Sequence, residues 1–159
     1  PSTPGLHETN AVVERCNQEV ESDIRVALHD AGLPVCFWTF AAPLVCHLWN
    51  VELFEEPTGE VTSRWFARHG EDFPGMVLPL GCGVYFYHAP TRDEARVSKA
   101  VPRLRFGIFL CYRLAFGGSW NGEYLVSPIE VFANKDLSQK ARSGPWWHIP
   151  HVTRTLRDG

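Results

Sequence analysis

The stretch that decides the fold spans residues 10–31 and reads NAVVERCNQEVESDIRVALHDA. Its apolar residues recur at steps of three and four, which is the spacing of one face of an amphipathic α-helix. The members of this stripe are Val13, Cys16, Val20, Ile24, Ala27 or Leu28, and Ala31. Thr9 or Asn10 is the predicted N-cap, and Gly32 followed by Pro34 is the predicted stop. The pattern predicts a helix with one buried face and one charged face.

Two further helices are predicted downstream of this stripe. Residues 35–50 are apolar on nearly every side, which indicates a helix buried on most sides, with Pro43 as a kink or break. Residues 51–62 are acidic, contain Gly and Pro, and are predicted as a loop. A hydroxyl residue at position 62 or 63 is predicted to cap a short helix that ends at Gly70.

The second half of the chain changes from helical to strand-like patterns. Residues 84–88, 106–114 and 123–132 are apolar runs of the kind that form β-strands. Gly117-Gly118 and Asn121-Gly122 are predicted to mark the link between the last two runs, and the Asn-Gly pair is a strong turn signal. Residues 134–159 are mostly polar and basic, and are predicted as a loosely ordered tail. The sequence thus predicts an α+β fold with a small, mostly antiparallel β-unit.

Charge is distributed unevenly along the chain. Residues 1–88 hold twelve acidic residues against four arginines, whereas residues 89–159 hold eleven basic and six acidic residues. A basic C-terminal part suits a polyanionic partner such as DNA. Ordinary solvated surface has the same composition, so both interpretations stay open at this point.

The cysteines and the hydropathy pattern bear on location. The five cysteines are Cys16, Cys36, Cys46, Cys82 and Cys111. They form no Cys-x-x-Cys pair and follow no secretory signal, which indicates reduced, mostly buried thiols in an intracellular protein of the nucleus or cytoplasm. No apolar run reaches the roughly 18 residues of a membrane span, so no membrane association is expected. The first residue is Pro1 rather than Met, which indicates a processed product or a piece of a longer one.

The segment most informative about function is residues 10–17, NAVVERCN. It resembles the Asn-Gly-x-x-Glu-Arg-x-Asn segment of copia-type retrotransposon integrases. The likeness continues in the same order through RVALHDAGLP at 25–34, SRWFARHG at 63–70, GCGVYF at 81–86 and GIFLCY at 107–112. The resemblance covers residues 3–132.

This resemblance implies an Asp-Asp-Glu enzyme with a ribonuclease-H-like core, whose three carboxylates hold two Mg²⁺ or Mn²⁺ ions for phosphoryl transfer. It gives Glu14 the role of the third carboxylate and metal ligand. It places Arg15, Asn17 and Gln18 along the DNA backbone. The two aspartates are expected in an upstream part of the same polyprotein, before Pro1. The chain is therefore expected to be inactive on its own, and to insert element DNA into host DNA only when joined to that part.

The resemblance also divides the chain into three parts. Residues 1–70 would be the C-terminal helices of a truncated integrase core, residues 71–133 a small β-rich post-core unit, and residues 134–159 a basic tail. The helices of residues 10–50 would then lack the sheet that they cover in a complete core. Exposed apolar stripes of this kind favour self-association.

Two other interpretations stay open. The β-unit and tail could form a non-catalytic module that binds DNA or a protein, and the steep salt dependence of phosphate contacts would distinguish these partners. The second interpretation is a degenerate transposon relic, because Ala11 and Cys111 stand where the family has Gly. Neutral Gln18 also stands where many relatives have a basic residue.

Overall fold

A computed structural model of the chain describes residues 7–87, 104–135 and 150–158. The charged loop that the sequence predicts at 89–102, and most of the predicted tail, lie outside these residues. Within the described part, three α-helices accompany an antiparallel sheet. The α+β class predicted from the sequence is therefore confirmed.

Helix α1 spans His7–Asp30 and contains the amphipathic stripe. The predicted N-cap at residues 9–10 is wrong, since both residues lie inside the helix, where the favourable helix former Glu8 precedes them. The predicted stop is right: Gly32 has a φ of +62°, and the N–H of Leu33 bonds back to the helix. Glycine suits this position because it has no Cβ to clash in the left-handed region.

Helix α2 spans Trp38–Val51 and follows a 3-10 turn at Val35–Phe37. The helix is continuous across Pro43, so the chain does not break there. The prediction that this helix is buried on most sides is wrong in part, because one row of its side chains is exposed to solvent. This row consists of Thr39, Pro43, Cys46 and Asn50. Pro43 is tolerated because the carbonyl of Thr39, which it deprives of a hydrogen bond, lies on the same exposed row.

A β-hairpin follows α2 where the sequence predicts a loop. Strands β1, Leu53–Glu55, and β2, Val61–Ser63, pair in antiparallel register. The N–H of Gly59 donates to the carbonyl of Glu56 across the turn, at 2.8 Å. The acidic composition concealed these strands, because each has only three residues and shows too little alternation to be recognised.

Helix α3 spans Arg64–His69 and agrees with the predicted short helix. The hydroxyl of Ser63 accepts a hydrogen bond from the N–H of Phe66 at 3.0 Å, which is an N-cap contact. The helix ends at Gly70, as the sequence predicts. The cap fixes the direction in which α3 leaves β2.

Among the described residues, the main sheet has five strands in the order β6-β5-β4-β3-β7, and every neighbouring pair is antiparallel. The strands are β3, Gly83–Tyr87; β4, Leu104–Leu114; β5, Trp120–Pro128; β6, His151–Thr153; and β7, Leu156–Asp158. The tail prediction is wrong for residues 151–158, which supply both edge strands. Three-residue edge strands carry no local signal, since their stability comes from distant partners.

The β4–β5 hairpin agrees with one of its two predicted turn signals. The turn lies at residues 115–119 and contains Gly117-Gly118, and the N–H of Ala115 donates to the carbonyl of Ser119 at 2.8 Å. The Asn-Gly pair at 121–122 is instead part of β5, opposite a register shift between Tyr112 and Leu114. Gly122 has a φ of +77°, and a left-handed glycine suits a β-bulge as well as a hairpin turn. The last predicted run also ends early, because Ile129–Phe132 forms a 3-10 helix.

One hydrophobic core joins the helices to the sheet. Leu28 of α1, Leu44 of α2, Phe86 of β3, Phe109 of β4 and Val126 of β5 are all buried in it. The expectation that the helices lack a sheet is therefore wrong for α2 and the second half of α1, because β3, β4 and β5 provide one. The loop before β3 is fastened to the same sheet, since the hydroxyl of Tyr112 donates to the carbonyl of Met76 at 2.7 Å.

The structure tests what the sequence predicts about the cysteines and about membrane-spanning helices. All five cysteines are free, which agrees with unpaired thiols. Only Cys111 is buried, whereas Cys16, Cys36 and Cys46 are exposed, so the expectation of mostly buried thiols is wrong. Burial raises the pKa of the Cys111 thiol to about 12. Among the described residues, no helix has the length and apolarity that crossing a membrane requires.

Candidate functional site

The site residues named from the sequence lie on the first half of α1. Glu14, Arg15, Asn17 and Gln18 are all exposed, as is every side chain of residues 11–19. Glu14, Asn17 and Gln18 are three and four positions apart, so they share one helix face. Arg15 lies about 100° around the helix from Glu14 but three positions before Gln18, so it borders on that face. The structure thus places Arg15 beside Gln18 rather than beside Glu14.

The carboxylate of Glu14 does not make a metal site by itself. Within the ranges that the structure describes, no group of three or more His, Cys, Asp or Glu side chains is placed to hold a metal ion. Mg²⁺ takes oxygen ligands in octahedral geometry, and a pair of such ions needs several carboxylates.

The second half of α1 is fastened to the body of the protein, but the first half is not. Ile24 is only 4% exposed, whereas Val13, on the same apolar stripe, is 59% exposed. Cys16, the next member of the stripe, is also exposed. The indole N–H of Trp49 in α2 donates to a carboxylate oxygen of Asp23 at 2.9 Å. The apolar face of α1 is therefore covered over only part of its length.

A separate pocket of about 230 Å³ lies between α2, α3 and the turn that joins β4 to β5. Its polar and aromatic lining consists of His47, Asn50, Arg64, Trp65, Arg68 and His69. Among the described residues that line it, none is acidic. The cap at Ser63 sets the direction of α3, and so determines which of its side chains reach this pocket.

His47 is the most deeply buried residue of this pocket lining, at 2% exposure. Its ring is surrounded by the rings of Tyr112, Phe73 and Trp65, with centroids 4.4, 4.8 and 5.5 Å away. Burial in this aromatic cage lowers the pKa of His47 from 6.5 to about 4, because the charged form loses its hydration. The imidazole is therefore neutral at physiological pH. Its Nε2 has no hydrogen-bond partner among the described residues.

Trp65 has the same shortage of partners. It is 6% exposed, and its indole N–H meets no acceptor in the described part of the chain. Its ring stacks on His69, one helical turn later, with centroids 4.1 Å apart and an interplanar angle of 28°. A buried polar nitrogen without a hydrogen-bond partner costs about 1–3 kcal/mol, and two such nitrogens, those of His47 and Trp65, lie beside one pocket.

Two guanidinium groups complete the lining. Arg64 donates to the backbone carbonyl of Trp49 at 2.7 Å, and Arg68 donates to that of Gly117 at 2.7 Å. Arg64 also lies over the ring of Phe54, 5.3 Å from its centroid. In the described ranges, neither arginine forms an ion pair with a carboxylate. A guanidinium has five N–H donors, so both groups have donors to spare.

Sequence reasoning did not single out this pocket. The segment SRWFARHG contributes to the resemblance, yet its spacing has a second meaning: Arg64 and Arg68 are four apart, and so are Trp65 and His69. That spacing is a signal for a cationic face beside an aromatic one. His47 had a signal too, as a histidine within an apolar helix. What the sequence does not show is that these elements converge.

In comparisons with protein families, curated proteins and solved structures, the chain matches none of them. Its function is therefore inferred from its residues and their geometry.

Proposed function

We propose that the chain is the C-terminal part of a copia-type retrotransposon integrase, in which Glu14 is the third carboxylate of a ribonuclease-H-like core. One observation supports this most directly. The apolar stripe of α1 is buried from Ile24 onwards but exposed at Val13 and Cys16, beside Glu14. Val12 is also 72% exposed. If another segment supplied the first strands of the core, the part of α1 that packs against them would be an exposed apolar surface next to a single carboxylate.

In this proposal α1 supplies one metal ligand and one DNA-contacting face. Glu14 would meet two aspartates from the upstream segment, since it cannot hold a pair of ions alone. Asn17 and Gln18 are neutral donors on the same face, and neutral side chains of this kind bind phosphate oxygens of DNA without reading its sequence. The chain alone is expected to have no integrase activity.

The test is a strand-transfer assay with Mg²⁺ or Mn²⁺ on two proteins. One is the 159-residue chain alone, and the other is the longer product of the same reading frame, which is expected to contain the two aspartates. We expect joining of a labelled DNA end to a target duplex by the longer protein only. Glu14→Gln should abolish that activity, because the amide removes the charge but keeps the shape of the side chain.

The matched control is Glu19→Gln, which changes an exposed glutamate on a different face of the same helix. It should leave strand transfer intact. Activity of the chain alone, or undiminished activity of the longer protein with Glu14→Gln, would contradict the proposal. A reading frame without upstream aspartates would contradict it as well.

A further inference from the structure

The pocket between α2, α3 and the β4–β5 turn combines features that the integrase proposal does not use. It has two guanidinium groups that meet no carboxylate in the described part of the chain, and it lacks acidic lining residues there. Two buried rings beside it, His47 and Trp65, carry nitrogens without hydrogen-bond partners among the described residues. Two guanidinium groups with spare N–H donors at one concave site point to an anion.

We propose that this pocket binds a phosphate group, either free or within a nucleic-acid backbone. Arg64 and Arg68 lie one turn apart on α3, so both can address one anion from the same side. The planar fork of arginine matches the oxygens of phosphate in paired hydrogen bonds. Trp65 lies between the two arginines on α3 and also lines the pocket, so its indole resonance can report on an anion bound there.

The number of donors favours phosphate over a carboxylate. Arg64 and Arg68, which have spare N–H groups, and His69 all belong to the lining. A carboxylate has two oxygens, whereas a phosphate group offers more acceptor oxygens and a larger negative charge. A single carboxylate would leave several of these donors without a partner.

The backbone contacts of the two arginines prepare the site in advance. Arg64 is held by the carbonyl of Trp49 at the end of α2, and Arg68 by the carbonyl of Gly117 in the β4–β5 turn. Side chains that are already held lose less conformational entropy when a ligand arrives. His47 stays neutral beneath them, so it adds no charge that would vary near neutral pH.

This site does not depend on Glu14 or on the integrase proposal. None of the residues named for DNA contact on α1 lines the pocket. Failure of strand transfer would leave the phosphate site standing, and failure of phosphate binding would leave the role of Glu14 untouched.

The experiment is an NMR titration of the ¹⁵N-labelled chain, followed at the assigned indole N–H of Trp65. Inorganic phosphate is added first, and a short double-stranded DNA is added to the phosphate-bound sample. We expect a saturable shift of the Trp65 resonance with phosphate. Arg64→Gln and Arg68→Gln should each weaken binding about tenfold or more, because each removes a charge-assisted hydrogen bond.

Arg25→Gln is the matched control, because Arg25 is an exposed arginine on α1 that pairs only with Glu21 among the described residues. It should bind phosphate as the unchanged chain does. Arg68→Lys keeps the charge but loses the fork, so its affinity should fall between those of the unchanged chain and Arg68→Gln. Circular dichroism of each variant shows whether lost binding reflects lost folding.

The two sources of phosphate give different results, and both support the proposal. Displacement of phosphate by DNA, with a further shift of Trp65, indicates a backbone phosphate. An unchanged phosphate-bound spectrum indicates a free phosphate or a small phosphorylated molecule. No saturable shift with either probe would overturn the proposal, and so would equal binding by folded Arg68→Gln and Arg25→Gln.

Discussion

The two halves of α1 share one sequence pattern but have different surroundings. In the second half, Ile24 and Leu28 are 4% and 6% exposed, and they pack into the core that α2 and the sheet complete. In the first half, every side chain of residues 11–19 is exposed, including Val13. The period of the stripe is the same in both halves.

This difference shows that an amphipathic pattern predicts which face of a helix is apolar, but not which part of that face another element covers. Burial of a residue such as Ile24 stabilises the fold by about 1.5–3 kcal/mol, whereas an exposed valine contributes almost nothing of this kind. The first half of α1 is therefore held mainly by its backbone hydrogen bonds and by its continuity with the second half. Such a segment is available for another chain segment to cover.

The largest expected effect separates these halves directly. Ile24→Ala should lower the free energy of unfolding by about 2–5 kcal/mol, because it removes buried methyl groups and leaves a cavity. Val13→Ala, the matched change on the same stripe, should alter it by less than about 0.5 kcal/mol. Urea unfolding followed by circular dichroism measures both. Similar losses for the two variants would show that the first half is covered as well.

Much of the fold is readable from the sequence where the signal is local. The stripe that ends at Gly32, the cap at Ser63 and the apolar run of β4 each depend on neighbouring residues. The edge strands β6 and β7 escape sequence reasoning because they pair with β5 and β3, from which they are distant in sequence. The bulge at Gly122 resembles a turn in sequence, since an Asn-Gly pair suits the left-handed backbone of either.

The candidate sites are readable to different degrees. Glu14 and its neighbours on α1 follow from a linear motif, so the sequence alone is enough to name them. The phosphate pocket needs three elements to converge, and helix periodicity says nothing about the convergence of α2 with α3. The burial of His47 is hidden for the same reason, because Tyr112 and Phe73, which enclose it, come from later segments.

A second prediction compares a covered and an exposed histidine. Above about pH 6.5, His47 is neutral in both the folded and the unfolded chain, so it has no effect on the pH dependence of stability. Between pH 6.5 and about 4, only the unfolded chain takes up the proton, because the folded pKa is lowered. The free energy of unfolding should therefore fall as the pH falls through this window. At about pH 4 the loss from this residue reaches about 3 kcal/mol.

The measurement is the stability of the unchanged chain and of His47→Phe at about pH 7 and about pH 4. Phenylalanine at position 47 cannot take up a proton. Between the two pH values, the free energy of unfolding of this variant should therefore fall by about 3 kcal/mol less than that of the unchanged chain. His29→Gln is the exposed counterpart, since the side chain of His29 is 89% exposed. A pH dependence of His47→Phe equal to that of the unchanged chain would show that this histidine is not buried in the neutral form.

The smallest expected effect concerns the hydrogen bond between Trp49 and Asp23, which lies where α1 begins to pack against α2. The hydrogen bond from Trp49 to Asp23 links α1 to α2, whereas the ion pair of Arg25 with Glu21 lies within α1 and is exposed. A double-mutant cycle isolates each contact from changes in helix propensity. Asp23→Ala combined with Trp49→Phe should give a coupling energy of about 1 kcal/mol. Glu21→Ala combined with Arg25→Ala should give about 0.3–0.5 kcal/mol, which added salt should reduce further. A coupling for Asp23 and Trp49 no larger than that of the exposed pair would mean that apolar packing around Ile24, and not this bond, holds α1 against α2.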